Sequence, residues 1–213
     1  MFTIEIFTFN PFQENTYVLY NEKGNALIID PGTYFPAEVQ TMKDFILRRG
    51  LNIVGLLNTH CHLDHVFGNS WVAAAHQLTP QIHPDEEPLH EASAGIANQY
   101  GLDFEAYEGA FQYIHEGDRI HLDEDELVAI LVPGHSPASL AFYCQQQDFV
   151  ISGDALFYES IGRTDLPGGN HQQLLHSIKE KLFNLPGQTQ VYPGHGPKTS
   201  IQHEMQHNPF LKP

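Results

Sequence analysis

Thr59-His60-Cys61-His62-Leu63-Asp64-His65 stands directly after the apolar run 52–58, and the reading of these seven residues decides the rest of the chain. In an extended segment, side chains two apart point the same way, so His60 and His62 can grip one ion. If the chain turns into a helix at Asp64, that residue and His65 swing to a different side, where they can serve a second ion. Three imidazoles and a carboxylate within six residues are costly to pack without an ion to compensate them. Two nitrogens do not close a tetrahedral site, so a third donor must come from elsewhere. Cys61 points away from its neighbours and reads as packing or support for the ligands.

The donors still needed lie downstream. Leu131-Val132-Pro133-Gly134-His135 and Val191-Tyr192-Pro193-Gly194-His195 each read strand, Pro-Gly, histidine. Both set an imidazole just past a strand end, where a rigid sheet holds a functional loop. His135 and His195 are the candidates for the missing nitrogens. Asp154, in Ile151-Ser152-Gly153-Asp154-Ala155-Leu156-Phe157, is an acid at another strand end, and its two oxygens can bridge a metal pair. The chain has 14 histidines; His76, His83, His90, His115, His121, His171, His176, His203 and His207 are read as ordinary surface or core residues.

Around these motifs the pattern alternates strands and helices. Strands are expected at 2–8, 15–20, 26–30, 52–58, 81–83, 127–132, 139–144, 148–152 and 189–192. A helix is expected at 36–49, with Pro36 early and Gly50 as its stop, another at about 65–77, and a capped one from Asn170 to Phe183. Strand pairs interleaved with helices predict an α/β or α+β sandwich in which helices cover sheets. With 213 residues and no linker or low-complexity segment, one domain over 1–213 is expected. Tyr100, Phe104, Tyr107 and Phe111 recur at roughly helical spacing and are read as a stripe that packs a helix or covers a pocket.

Composition excludes several classes. At 41% hydrophobic residues and with no apolar run near 18, neither a disordered chain nor a membrane span is expected. The alternating start Met1-Phe2-Thr3-Ile4-Glu5-Ile6-Phe7 reads as a strand and not a leader peptide. The 10 Lys+Arg against 26 Asp+Glu give a net charge of -16, which disfavours nucleic acid and anionic membranes as partners. Residues 84–126 hold 13 of those acids and one base, Arg119, and read as a solvated acidic surface. Two cysteines, Cys61 and Cys144, suit a reducing cytoplasm, with Cys144 in the core.

His60-x-His62-x-Asp64-His65, followed in order by His135, Asp154 and His195, resembles the metallo-β-lactamase superfamily, and within it the glyoxalase II-like branch. The resemblance extends over nearly the whole chain. It includes Asn15-Thr16-Tyr17, Asp30-Pro31-Gly32, Gly134-His135-Ser136-Pro137-Ala138-Ser139, Gly153-Asp154-Ala155-Leu156-Phe157, Gly162-Arg163-Thr164-Asp165, Pro193-Gly194-His195-Gly196 and Asn208-Pro209-Phe210. It implies an α+β, four-layer αβ/βα sandwich with the site at one edge. It also implies His60, His62 and His135 on one metal ion, Asp64, His65 and His195 on a second, and Asp154 bridging. Full-length glyoxalase II-like enzymes carry a further C-terminal helical region that holds glutathione; this chain ends at Pro213 and is expected to lack it, so the thiol carrier stays open.

The chemistry expected of such a centre is hydrolysis. Two divalent ions ~3.5–4 Å apart can lower the pKa of a shared water from 15.7 toward ~7, which provides hydroxide at neutral pH. No Gly-x-Ser-x-Gly elbow is present, and none is needed. A thioester is the favoured bond, because its thiolate leaves without a general acid, whereas an amide needs a proton donor that the sequence does not advertise. Asp64 and Asp154 are the candidate catalytic residues as well as ligands. Two ions against Asp64, Asp154 and hydroxide leave the pocket slightly positive inside an acidic shell, so an anionic small-molecule substrate fits. Arg163 and Lys198 are the candidate anchors for its carboxylate. Against that, Arg163 can pair with Asp165 to shape its loop, and Lys198 can be a solvated surface residue. Asp30 reads as an acid that orients the metal loop, or as a plain Asp-Pro-Gly turn. Zinc is the expected metal, with iron and manganese able to accept similar donors. The rival readings are a persulfide dioxygenase with one iron on His60, His135 and Asp154, and a non-catalytic metal-binding protein.

Overall fold

Residues 1–212 are described by the computed structural model of the chain, which divides into two compact units. The first takes in residues 1–113 and 122–125, the second 114–121 and 126–213. Each is built from a six-stranded sheet with helices packed against it.

In the first unit the chain lays down β1 (Thr3–Phe9), β2 (Glu14–Tyr20) and β3 (Asn25–Ile29), then α1 (Pro36–Arg49) and β4 (Asn52–Leu57). Two short helices follow, α2 (Leu63–Val66) and α3 (Asn69–His76), then β5 (Gln81–Ile82), α4 (Glu87–Gln99) and β6 (Gln112–Tyr113). The sheet order is β1-β2-β3-β4-β5-β6, antiparallel through β3 and parallel beyond it. Met42, Phe45 and Ile46 of α1 and Val72 and Ala73 of α3 bury against Val18, Ala26, Ile28 and Leu56 of the sheet. Helix α1 keeps its expected limits. Glu38 reaches back to accept from the N–H groups of Tyr34 and Phe35 (2.8 and 2.9 Å), and Gly50 closes the helix in the left-handed region at φ 62°.

The single helix expected at about 65–77 is instead two, broken at Phe67-Gly68. Gly68 packs its backbone on the Asp30-Pro31-Gly32 turn and donates to the Pro31 carbonyl at 2.6 Å; a Cβ there would also lie 2.6 Å from that oxygen. The aromatic stripe is not helical either. Helix α4 stops at Gln99, where Gly101 turns left-handed (φ 67°) and Leu102 N–H bonds the Ala97 carbonyl. Phe104 and Phe111 pack from the following loop onto a small core of Cys61, Val66, Ile82 and Leu89, while Tyr100 stays exposed.

The second sheet, which lies in the second unit apart from Leu122 and Asp125, contains β7 (Arg119–Leu122), β8 (Asp125–Leu131), β9 (Leu140–Cys144) and β10 (Phe149–Gly153), and beside it is a small hairpin of β11 (Leu156–Phe157) and β12 (Ser160–Ile161). Then come α5 (His171–Glu180), β13 (Gln190–Pro193), β14 (Thr199–Ser200) and α6 (Ile201–His207). The sheet order is β14-β13-β10-β9-β8-β7, with β10 and β13 parallel. Its face is covered by Leu174 and Ile178 of α5 and Ile201 of α6, packed on Val132, Ala141, Val150 and Val191. Helix α5 begins where Asn170 predicts, its side chain accepting from Gln173 N–H at 3.1 Å, and ends three residues short of Phe183 in a 3₁₀ turn. Cys144 is fully buried. No helix among the described residues is long and apolar enough to cross a membrane.

Candidate metal centre

Both units put their reactive side chains past the carboxyl ends of parallel strands, where α/β sheets bind ligands. In the first unit the strands are β3 and β4. Asp30 follows β3 and sits in the left-handed region at φ 50°, a conformation that aspartate tolerates better than most residues. Its carboxylate is fully buried and accepts three hydrogen bonds, from Thr59 N–H (2.7 Å), Thr59 Oγ1 (2.6 Å) and His65 Nδ1 (3.0 Å). These bonds offset the cost of burying the charge. They also make Asp30 more than a turn residue, because it fixes the loop that leaves β4.

The same bonds set the histidine tautomers. With Nδ1 of His65 donating to Asp30, Nε2 carries the lone pair. His60 Nδ1 lies 3.0 Å from Thr59 Oγ1, whose own proton goes to Asp30, so His60 too is held with its lone pair on Nε2. The rings of His60 and His65 lie 4.1 Å apart and those of His60 and His62 4.8 Å. His62 is extended (φ -64°, ψ 149°) and immediately precedes α2, which begins at Leu63. Asp64 therefore swings away with the helix, as expected, and its Oδ2 stands 3.7 Å from His65 Nε2. Asp30, His60 and His65 also form a geometric cation cluster, yet the Asp30 oxygens are occupied by donors, so it serves as the ligands' support and not as one of them.

In the second unit Asp154 follows β10 and His195 follows β13. The register of this parallel pair shifts between Ile151 and Gly153, a bulge that re-aims the residue behind it. Gly194 N–H bonds the Gly153 carbonyl at 2.9 Å and holds the two loops side by side. Asp154 Oδ2 then lies 3.5 Å from both His135 Nε2 and His195 Nε2. His135 donates Nδ1–H to the Arg163 carbonyl at 2.7 Å, so its Nε2 again carries the lone pair. Its Pro-Gly turn is pinned by α5, with Asn170 N–H on the Gly134 carbonyl (2.7 Å) and Ser177 Oγ on the Pro133 carbonyl (2.9 Å). Gly162 makes room for the group. A Cβ there would collide with the Asp154 carbonyl oxygen and approach His135 Nδ1 to 2.8 Å.

This donor chemistry fits divalent metal. His60, His65 and His135 present Nε2 lone pairs with Nδ1 bound to protein oxygen, and such imidazoles with carboxylates beside them are what zinc, iron and manganese take. His60, His62, Asp64 and His65 come together in the first unit, and His135, Asp154 and His195 in the second.

The expected substrate anchors are both at the surface. Arg163 holds Asp165 by two bonds, Nε to Oδ1 at 2.7 Å and Nη2 to Oδ2 at 2.8 Å. That pairing lowers the Asp165 carboxyl to about 2. Lys198 is exposed on the loop after His195.

Two supports escaped the sequence reading. Glu14 is fully buried beside the centre, accepting from Thr16 Oγ1 at 2.9 Å with its other oxygen 4.0 Å from His65 Nδ1. Burial pushes its carboxyl well above the usual range. Gly32 lies so close to it that a Cβ would strike the carboxylate. Glu86 is turned inward from the acidic stretch and accepts the Cys61 N–H at 2.9 Å, fixing the residue between His60 and His62. Cys61 is packing, as expected, and burial raises its thiol well above the ordinary value. A polar residue opening a strand and an acid among twelve others in the same stretch gave no sign of either role.

Comparison with known proteins gives the family. The profile of the metallo-β-lactamase superfamily matches residues 9–195. A probable metallo-hydrolase of Bacillus subtilis, YqgX, is 38% identical over 204 residues, covering 94% of this chain and 93% of that one. The hydroxyacylglutathione hydrolase GloC of Haemophilus influenzae is 33% identical over 216 residues, covering 98% and 97%. Among solved structures, the B3 metallo-β-lactamase BLEG-1 superposes with a TM-score of 0.91 at 35% identity, covering 99% and 100%. TTHA1623 in a di-iron-bound form gives 0.88 at 35%, covering 97% and 100%. With the motif, the two-sheet fold and full-length relatives in accord, the chain belongs to the metallo-β-lactamase superfamily.

Proposed function

We propose that this metallo-hydrolase is a dinuclear thioesterase that acts on S-lactoylglutathione or a similar acyl thioester. In this reading His60, His62 and His135 hold one ion, Asp64, His65 and His195 the other, and Asp154 is common to both. Bound divalent metal supplies Lewis acidity and ionised water at neutral pH. The chain's own part is to keep the donors deprotonated and aimed. Asp30 and Thr59 hold His65 and His60, the Arg163 carbonyl holds His135, and Gly162 keeps the space beside Asp154 open. The observation that carries the reading is that shared tautomer, with Nδ1 of three separate histidines bound to protein oxygen. The likeness to GloC, named as a hydroxyacylglutathione hydrolase, favours a thioester over other acyl bonds. Lys198 is the better anchor for a substrate carboxylate, since Arg163 would first have to release Asp165. Zinc is the proposed metal, and the proposed setting is the cytoplasm.

Two rival outcomes stand against it, β-lactam turnover, after the B3 metallo-β-lactamase neighbour, and persulfide oxygenation at a single iron held by His60, His135 and Asp154, with which the ETHE1 neighbour is compatible. The test is a panel on metal-loaded protein: S-lactoylglutathione, other acyl thioesters, a β-lactam, and glutathione persulfide in an oxygen electrode. Thioester hydrolysis without oxygen uptake or β-lactam turnover is expected. Oxygen consumption on the persulfide, or β-lactam turnover above that of every thioester, would overturn the proposal.

A further inference from the structure

Asp103 and Glu105, on the segment after α4, are two carboxylates that meet no base. Both are exposed, and among the described residues neither forms an ion pair. Phe104 stands half-buried between them and packs on Phe67, with ring centres 5.5 Å apart. Asp103 N–H donates to Tyr34 Oη at 3.2 Å, which ties this segment to the loop after β3. The two acids border a groove of about 360 Å³, walled by the rings of Tyr34, Phe67, Trp71 and Phe104. That volume lies within the range of small-molecule sites.

The walls are held in place by the protein itself. Buried Thr33 accepts from Trp71 Nε1 at 2.6 Å and fixes the indole, and Tyr34 packs on Phe67 at 4.8 Å. None of the chain's 10 lysines and arginines lines the groove. Lys43 Nζ stands over the Trp71 ring at 5.4 Å but lines a separate groove, so this indole already attracts one cation.

We propose that the groove walled by Tyr34, Phe67, Trp71 and Phe104 binds a small organic cation, an ammonium group carried on an aromatic or short aliphatic body. It contains no metal ligand and does not depend on the thioesterase reading.

Each part of such a ligand meets its complement. Aromatic faces attract a cation within ~6 Å of the ring centre. The apolar body gains by leaving water, and the two carboxylates add an attraction that salt screens. Other occupants are served worse. A hard metal ion seeks about six oxygens, and the rings supply none. An anion meets two negative charges, and a neutral molecule leaves both acids unused.

The chain's single tryptophan, Trp71, is the reporter for the test. Full-length protein is titrated with phenethylammonium, and in parallel with phenethyl alcohol and hydrocinnamate, reading Trp71 fluorescence and saturation-transfer NMR of the probe. Phenethylammonium should bind saturably with a Kd of about 1 mM or below. Binding should weaken as salt is raised, and the alcohol and the carboxylate should bind at least about fivefold more weakly. Asp103→Asn and Glu105→Gln should each weaken the cation by about 2- to 5-fold, the scale of one exposed charge pair, and together by about 10-fold. Glu108 is an exposed acid outside the groove, and Glu108→Gln should leave the affinity unchanged. All three side chains are exposed, so the variants test binding without risk to the fold. The proposal is overturned if neither readout shows saturable binding in the millimolar range, if phenethyl alcohol binds as tightly as the cation, or if the double variant keeps wild-type affinity.

Discussion

In Asp154→Ala, thioester hydrolysis falls by about a thousandfold or more, the scale of several kcal/mol that metal activation supplies. Asp154 Oδ2 sits 3.5 Å from Nε2 of both His135 and His195, so one side chain answers to two imidazoles. Removing it leaves two imidazoles with no carboxylate between them. The fold should survive, because Asp154 stands in a loop and the core beneath it, Val150, Ala155, Leu156 and Val191, is apolar and untouched. Initial rates at saturating thioester, with circular dichroism as the folding control, check this. Turnover near wild type would remove Asp154 from the chemistry.

The second large effect is expected at a residue that touches no substrate. Asp30→Asn keeps the size of the side chain and the tolerance for φ 50°, and its Oδ1 can still accept from Thr59 N–H. Its amide, however, presents N–H to His65 Nδ1, where a carboxylate now accepts. Two donors cannot face each other, so His65 must put its proton on Nε2, the nitrogen turned toward Asp64. Metal affinity and activity should both fall by about 10–100-fold, the usual consequence of losing such an orienting partner. Asp30→Ala should do the same and also cost stability, about 1–3 kcal/mol for each buried donor left unmet. The check is a metal-chelator competition run beside thermal unfolding. An Asp30→Asn protein with unchanged metal affinity would show that the tautomer is fixed by something else.

The parts of the molecule that were legible in the sequence are those governed by near neighbours. Pro36 and Gly50 bracket α1, Asn170 caps α5, and the apolar run 52–58 delivers the histidines at its carboxyl end. The spacing His60-x-His62 and the turn into helix at Asp64 are likewise local. What stayed hidden depends on residues far apart in the chain. Glu86 reaches Cys61 across 25 positions and His135 finds the Arg163 carbonyl across 28. No local pattern distinguishes Glu86 from its solvated acidic neighbours. The split of 65–77 into α2 and α3 follows from the close approach of Gly68 to Pro31, again a tertiary demand. The paired anchors divided in the same way: the Arg163–Asp165 link lies within three residues and was foreseeable, whereas nothing local assigns Lys198.

The most direct test of the central claim is stepwise reconstitution of metal-free protein, with ions per chain from elemental analysis plotted against thioester turnover. The account predicts two divalent ions per chain at full activity, and the same loss of stoichiometry from His62→Ala in the first unit as from His135→Ala in the second. Full activity at a single ion per chain would contradict it, as would a His135→Ala protein that still holds both.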